Sequence, residues 1–236
     1  NIANVHTEKT ISLTIGLADW TLDENGQIAL SPPGEDPASS ADWARFSPAF
    51  VTLEPGEAEQ IVVDLAAPAR VQRSGDHRFA LLASTILPEE RGQGSGVWKR
   101  YQIASLFYLT TGEAESLPEI TSSGIAVDEN GQAVLGMRIE NAGNAHARLK
   151  GSVEIDSGRG EVRTQPIDNL VVLDQGARNF RMTLPGDLGE APKLTVRLEN
   201  IFAPQVQSGI LDLAPHTVTV PARRASLEPA ESVGAQ

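Results

Sequence analysis

The chain has 236 residues, so it can form one large domain or two small ones. Its formal net charge of −12 opposes contact with phosphate backbones and anionic lipid, so nucleic acid is not an expected partner. The sequence contains no cysteine, which excludes disulfides and thiolate metal sites, and it has no apolar run approaching the roughly 20 residues that span a bilayer. It starts at Asn1 without a signal peptide, so we expect that one has been cleaved or that the sequence is trimmed.

Alternating apolar and polar residues predict β-strands through the first half of the chain. The stretch 10–22 alternates, and the pentapeptide Asp-Glu-Asn-Gly-Gln at 23–27 predicts a hairpin turn, because Asn-Gly tolerates positive φ. A strand, a turn at Pro55-Gly56 and a second strand are predicted over 46–65. Further strands are predicted over 77–87 and 98–110, joined by a polar, glycine-rich loop.

The same pattern of turns restarts in the second half. The pentapeptide recurs at 128–132, and Leu-Asp-Gln-Gly at 173–176 resembles Leu-Glu-Pro-Gly at 53–56. No segment longer than about ten residues has helical periodicity. Two repeats of this size favour an all-β chain of two tandem immunoglobulin-like β-sandwich domains, since solenoid repeats are only roughly 20–50 residues long. The predicted divisions are a first domain at 1–112, a linker at 113–123, a second domain at 124–221 and a tail at 222–236.

No pattern of residues predicts an enzyme, a metal site or a cofactor site. The two Asp-Glu-Asn-Gly-Gln turns offer oxygen ligands, but neither is followed by a late bidentate glutamate, so hairpin turns are favoured over calcium loops. The four histidines His6, His77, His146 and His216 lie at no metal-ligand spacing and beside no nucleophile motif. Asp76-His77-Arg78 is interpreted as the start of a strand and not as a catalytic dyad.

Three loop features have a ligand interpretation and a plainer one. Glu89-Glu90 is favoured as a solvated pair over glycosidase acids, which must face each other across a cleft. The glycine-rich segment 92–96 lacks the lysine and the helix of a phosphate loop. The segment 98–101 (Trp-Lys-Arg-Tyr) mixes basic and aromatic residues, as some ligand platforms do, but an amphipathic strand start is favoured.

Residues 10–112 resemble the N-terminal immunoglobulin-like domain of periplasmic pilus-assembly chaperones, the PapD-like superfamily. The resemblance rests on short motifs that occur in the family's order: Ala18-Asp19-Trp20, Ser-Pro…Leu-Glu-Pro-Gly…Val-Asp-Leu within 47–65, Pro68, the strand 74–82 ending in Leu87-Pro88, and Gln-Ile-Ala-Ser-Leu-Phe-Tyr at 102–108. This resemblance implies an immunoglobulin-like fold, a location in the periplasm or outside the bacterial cell, and a protein partner such as a secreted or pilin-like subunit.

The chain departs from the family in two places. Such chaperones hold a subunit's C-terminal carboxylate with an arginine on the first strand and a lysine on the last. Ser105 stands at the expected position of that lysine, and Lys99 and Arg100 are out of register with it. Asn1 falls where the family's second strand begins, so the first strand is expected to be absent.

Two functions follow as hypotheses. The first is a non-enzymatic, chaperone-like module that binds an extended protein segment by strand addition along 103–109, with Ile103, Ser105, Phe107 and Leu109 toward the partner. The alternative is a structural subunit of an envelope or extracellular filament, held to copies of itself by strand complementation. If the strand is instead fully paired within its own domain, its apolar residues are simply core.

Overall fold

The computed structural model describes residues 1–86, 100–158, 162–186, 188, 192–205, 211–213 and 215–219. The expectations for Glu89-Glu90, for the segment 92–96, for Trp98 and Lys99, and for the tail at 222–236 lie outside these residues. The structure is all-β, with one 3-10 turn at Ala41–Trp43 and no α-helix among the described residues.

Nine strands lie in the described part of the first half. In chain order they are β1 (Ile2–Ala3), β2 (Ile11–Leu22), β3 (Ile28–Ser31), β4 (Ala44–Ser47), β5 (Phe50–Leu53), β6 (Ala58–Glu59), β7 (Val62–Leu65), β8 (Gly75–Ile86) and β9 (Arg100–Thr111). The main sheet has the order β3-β2-β8-β9, and β5 pairs with β2. Two separate ladders, β4-β7 and β1-β6, complete this half. All of these pairings are antiparallel, as the short connections require.

Eight strands lie in the described part of the second half. They are β10 (Pro118–Val127), β11 (Ala133–Asn141), β12 (Ala147–Asp156), β13 (Val162–Val172), β14 (Ala177–Thr183), β15 (Lys193–Asn200), β16 (Leu211–Asp212) and β17 (His216–Thr219). One sheet has the order β10-β11-β14, and the other has β13-β12-β15 with β16 and β17 both paired to β15. Within the described ranges no strand of one half pairs with a strand of the other. The fold class expected from the duplicated turns is confirmed.

The hydrophobic core is distributed unequally between the halves. In the second half the inward residues of both sheets form one continuous cluster that includes Leu135, Ile139, Leu149 and Val153, all fully buried. The first half has three smaller clusters instead, around Leu53, Phe79 and Trp20. The cluster around Trp20 also takes in Leu173 of the second half. The first half therefore obtains part of its apolar burial from its neighbour.

Both Asp-Glu-Asn-Gly-Gln segments are hairpin turns, as predicted. Asp23 Oδ1 accepts hydrogen bonds from the backbone N–H groups of Asn25 and Gln27, at 2.9 and 2.8 Å, and Asp128 Oδ1 accepts the equivalent pair at the same distances. Gly26 supplies the positive φ that the turn needs, at 78°. The aspartate oxygens thus stabilise the turns themselves.

Two strands lie at or within the predicted boundaries. Ile2–Ala3 forms a short strand ahead of the long strand β2, and it pairs with Ala58–Glu59. Strand β10 begins at Pro118, within the stretch 113–123 that was predicted as a linker. Among the described residues β10 is an edge strand paired with β11, and an edge strand tolerates the polar residues at 121–123. The division of the chain into domains stays a prediction.

Truncating the second-half core tests this description of the packing. We expect Leu149→Ala to lower the free energy of unfolding by about 2–5 kcal/mol, because a fully buried leucine leaves a cavity. Lys150→Ala, the adjacent exposed position, should cost about 1 kcal/mol or less, since it removes only a surface ion pair with Glu199. Urea unfolding followed by circular dichroism measures both, and equal losses would contradict the assignment of the inward face.

Candidate functional site

Strand β9 forms one edge of the main first-half sheet. It pairs with β8 along its whole length, from Arg100 with Ile86 to Thr111 with Gly75. Among the described residues no strand pairs with its other side. Residues 101–105 are exposed, and residues 106–109 are half buried. One row of backbone hydrogen-bonding groups is therefore left without a strand partner.

The structure places Ile103, Ser105, Phe107 and Leu109 on one face of β9, opposite Ala83, Leu81, Phe79 and His77 of β8. The four residues are not equivalent. The Phe107 ring stacks on Phe79 with 4.5 Å between ring centroids, and Phe107 and Leu109 pack against a buried cluster that also contacts Val63. Ile103 is 66% exposed, and Ser105 beside it is also exposed. The accessible part of this face therefore lies at the Ile103 end.

The opposite face of β9 contacts the second half of the chain. Leu106 and Tyr108 pack in the cluster that contains Trp20 and Leu173. The Tyr108 ring meets the Trp20 ring edge-on at 5.0 Å and stacks on the His146 ring at 4.2 Å. Burial raises the pKa of the Tyr108 hydroxyl above its usual value. This face is thus used by the junction between the halves.

Asp174 joins the two halves through a buried ion cluster. It lies in the turn between β13 and β14, and its two carboxylate oxygens accept hydrogen bonds from Arg73 and Arg78, one from each guanidinium. The side chains of Arg78 and Asp174 are 8% and 3% exposed. The Arg78 guanidinium also lies 5.9 Å from the centre of the Trp20 ring. Because these charges are removed from water, each depends on the other for compensation.

A second buried contact pairs Asp76 with His146. Asp76 Oδ2 accepts from the His146 backbone N–H at 2.6 Å and from His146 Nδ1 at 2.5 Å, while Oδ1 accepts from the Thr110 hydroxyl at 2.7 Å. Burial alone would raise the pKa of Asp76, but the hydrogen bonds from His146 and Thr110 and the attraction of His146 outweigh it, so the pKa lies below its usual value.

A third contact lies at the surface of the junction. Arg138 on β11 donates to both carboxylate oxygens of Glu24, at 2.8 and 2.9 Å, and its Nε donates to Glu140. These hydrogen bonds and the charge of Arg138 lower the pKa of the Glu24 carboxyl. The backbone N–H of Asn179 donates to the Glu24 carbonyl at 2.6 Å. The first Asp-Glu-Asn-Gly-Gln turn is therefore also a docking element.

The four histidines have different neighbours in the structure. His6 is exposed, whereas His77 is buried beside Trp43 with 4.5 Å between ring centroids. His216 Nε2 lies 2.8 Å from Ser123 Oγ in the second half. Asp76-His77-Arg78 begins strand β8, as expected. Over the described ranges, no three His, Cys, Asp or Glu side chains group as metal ligands, and no helix is long and apolar enough to span a bilayer.

The junction residues do not stand out in the sequence. The available signal was the similarity between Leu-Glu-Pro-Gly at 53–56 and Leu-Asp-Gln-Gly at 173–176. Both acidic residues lie in turns, but Glu54 is exposed and Asp174 is buried. That difference depends on two arginines that the fold brings to Asp174, at sequence separations of 101 and 96.

No family model matches the sequence, and no curated protein matches it. Solved structures that do match include a chaperone–tip adhesin complex of CFA/I fimbriae, at 11% identity and a TM-score of 0.44, covering 91% of this chain and 90% of that chain. The CupB2 chaperone of Pseudomonas aeruginosa matches at 10% identity and a TM-score of 0.42, covering 93% and 91%. The CsuC–CsuE chaperone–subunit complex of Acinetobacter baumannii matches at 14% identity and a TM-score of 0.38, covering 93% and 89%.

The first and third of these structures contain chaperones of fimbriae or pili, and the second is a chaperone.

Removing the Asp174 carboxylate tests the ion cluster. We expect Asp174→Ala to lower the free energy of unfolding by about 3–5 kcal/mol, because it removes the carboxylate that contacts both arginines and leaves the buried guanidinium of Arg78 with the more distant Asp36, at 3.7 Å. All three tryptophans, Trp20, Trp43 and Trp98, belong to the first half, so their fluorescence reports unfolding of that half. Asp174→Ala, although it lies in the second half, should thus lower the midpoint of the unfolding transition seen by tryptophan fluorescence. An unchanged midpoint would contradict the coupling of the two halves through Asp174.

The low pKa of Asp76 predicts a pH dependence. A depressed carboxyl pKa stabilises the folded state above the unfolded-state value of 3.8, and this contribution is lost as pH falls through the lower folded-state value. Stability of the wild type should therefore decrease more steeply than that of Asp76→Asn when urea midpoints are compared between pH 5 and pH 2. Asp42→Asn, at an exposed position, serves as control and should keep the wild-type slope.

Proposed function

We propose that this chain is a non-enzymatic, chaperone-like module of the cell envelope that binds an extended segment of a partner protein along strand β9. One observation carries the proposal: β9 is a twelve-residue edge strand with one side unpaired among the described residues. An extended segment can join such an edge through main-chain hydrogen bonds, which requires no particular partner sequence.

The composition of β9 supports this use. Native edge strands are usually blunted by proline, by charge or by short length. Between Tyr101 and Thr110 the strand contains neither proline nor a charged residue. A long, flat and uncharged edge invites aggregation unless something covers it. A partner strand in register would cover it.

The side chains favour contact at one end. Phe107 and Leu109 are half buried and already pack within the first half, so their contribution to a partner is limited. Ile103 and Ser105 are exposed, and alternate residues of an added strand would lie beside them on the same face. We therefore assign the partner-facing apolar contact chiefly to Ile103. No basic anchor stands at Ser105, so the proposed contact relies on the strand and on apolar packing.

The sequence resemblance supplies the partner class. It covers the first half and favours a secreted or pilin-like subunit as partner, and a periplasmic or extracellular location. On this proposal residues 1–112 form the binding domain, and residues 124–221 form a second domain that supports it through Asp174 and His146.

A different observation favours a second candidate, a structural subunit held to copies of itself by strand complementation. The remaining strands of the first half form two separate two-stranded ladders, β4-β7 and β1-β6. Val62 and Leu65 of β7 are 48% and 47% exposed. Such short ladders leave further edges to which a neighbouring copy can add a strand.

Lysine substitutions on β9 test the proposal. A partner captured from an envelope extract of the source organism and then purified is titrated against each variant. We expect Ile103→Lys to weaken this binding at least tenfold with little change in melting temperature, because the site is exposed. Phe107→Lys should cost several kcal/mol of stability, since it places a charge in the packed cluster.

Ala104→Lys is the matched control, because it adds the same charge at an exposed position on the opposite face of the same strand. It should leave binding within about twofold of wild type. If Ile103→Lys binds the partner as tightly as the wild type does, the partner binds at a surface other than the Ile103 end of β9. Light scattering of the pure protein tests the second candidate. An apparent molecular mass that increases with protein concentration, and that no longer increases when a charged residue is introduced on β7, would favour the structural subunit.

A further inference from the structure

A small cavity at the junction of the halves is lined by an arginine with two buried nitrogen atoms that have no hydrogen-bond partner among the described residues. The cavity has a volume of about 180 Å³. Its walls come from the end of β2 and the following turn (Thr21, Leu22 and Asp23), from Arg78, and from the second half around the turn at 173–176. Arg178, the second residue of β14, completes the lining.

The Arg178 guanidinium is the unusual feature of this cavity. Its Nε and Nη1 atoms are buried, and neither donates a hydrogen bond to any described residue. The Nε of Arg78, on the same cavity, is also buried without a partner. An arginine remains charged in proteins and carries five N–H donors, so burying it without acceptors is costly. The geometry therefore calls for an acceptor inside the cavity.

The turn at Gly26 lies against this guanidinium. A Cβ atom on Gly26 would lie 1.4 Å from Arg178 Nη1, so the glycine allows this close approach. Gly26 belongs to the turn that Glu24 docks on Arg138 and Asn179. Asp23 and Asp174 line the same cavity, but neither accepts a hydrogen bond from the buried Nε or Nη1 of Arg178.

Arg178 is the guanidinium of this region that lacks a close carboxylate. Asp174 is shared by Arg73 and Arg78, and Asp36 Oδ1 lies 3.7 Å from Arg78 Nη2, so two carboxylates balance two guanidiniums in that cluster. Asp23 is near Arg178, but its Oδ1 accepts hydrogen bonds from the turn. Burial lowers the pKa of Arg178, and the nearby charge of Asp23 raises it. A ligand that enters the cavity therefore meets N–H groups of Arg178 that no side chain occupies.

We propose that this cavity binds a small carboxylate monoanion, which accepts hydrogen bonds from Arg178 and bridges the two halves of the chain. A planar guanidinium matches a carboxylate with two parallel hydrogen bonds. The apolar walls from Leu22, Val171 and Leu173 suit the carbon end of such a ligand. This site is separate from strand β9 and does not depend on the proposed partner.

Thermal unfolding of the full chain tests the site, with sodium acetate as the probe and sodium chloride at equal ionic strength as the salt control. Acetate at ten times its dissociation constant should raise the melting temperature by roughly 3–6 °C, since a ligand that binds only the folded state stabilises it by mass action. Arg178→Gln should abolish this shift. Arg181→Gln removes an exposed charge from the same strand and should retain it.

Solution NMR provides a measurement that does not require a variant to fold. Acetate should move the Arg178 side-chain Nε–H resonance saturably, and chloride should not. Equal thermal shifts with acetate and chloride, or an acetate shift that survives Arg178→Gln, would overturn the proposal. Binding of inorganic phosphate without binding of acetate would overturn the assignment to a carboxylate. An unmoved Arg178 resonance would mean that water alone satisfies the guanidinium.

Discussion

The contact between Asp174 and the arginines Arg73 and Arg78 is the interaction on which the relation of the two halves depends. A carboxylate that is almost fully buried needs compensating charge, and two guanidiniums at the start of β8 supply it. These contacts hold the start of β8 against the turn between β13 and β14. The same junction contains the contacts of Asp76 with His146 and of Glu24 with Arg138.

The junction in turn determines what remains available on β9. Its Leu106–Tyr108 face is covered by the cluster around Trp20 and by the ring of His146. Its Phe107–Leu109 face is half covered by the packing around Phe79. The unpaired edge of β9 and its Ile103 end remain accessible. They belong to a strand whose two faces both pack against other residues. A preorganised edge of this kind loses little entropy when a partner segment adds to it.

Ion pairs are concentrated where the halves meet. Arg73, Arg78 and Arg138 each pair with a carboxylate across the junction, which suits a chain whose net charge is −12. Arg178 lies in the same region without such a partner. The junction therefore combines satisfied ion pairs, which hold the halves together, with one unsatisfied group, which is the kind of feature that binds a ligand.

The type of each local structure could be predicted from the sequence. Two-residue alternation identified most strands, and the Asp-Glu-Asn-Gly-Gln pentapeptides identified two hairpin turns, because both signals depend only on neighbouring residues. It also placed Ile103, Ser105, Phe107 and Leu109 on one strand face. It did not separate exposed Ile103 from packed Phe107, and it missed Asp174, His146 and Arg178. Whether a strand is an edge, and which charge is buried beside which, depends on sheet order and on contacts about 100 residues apart, and only the tertiary structure decides these.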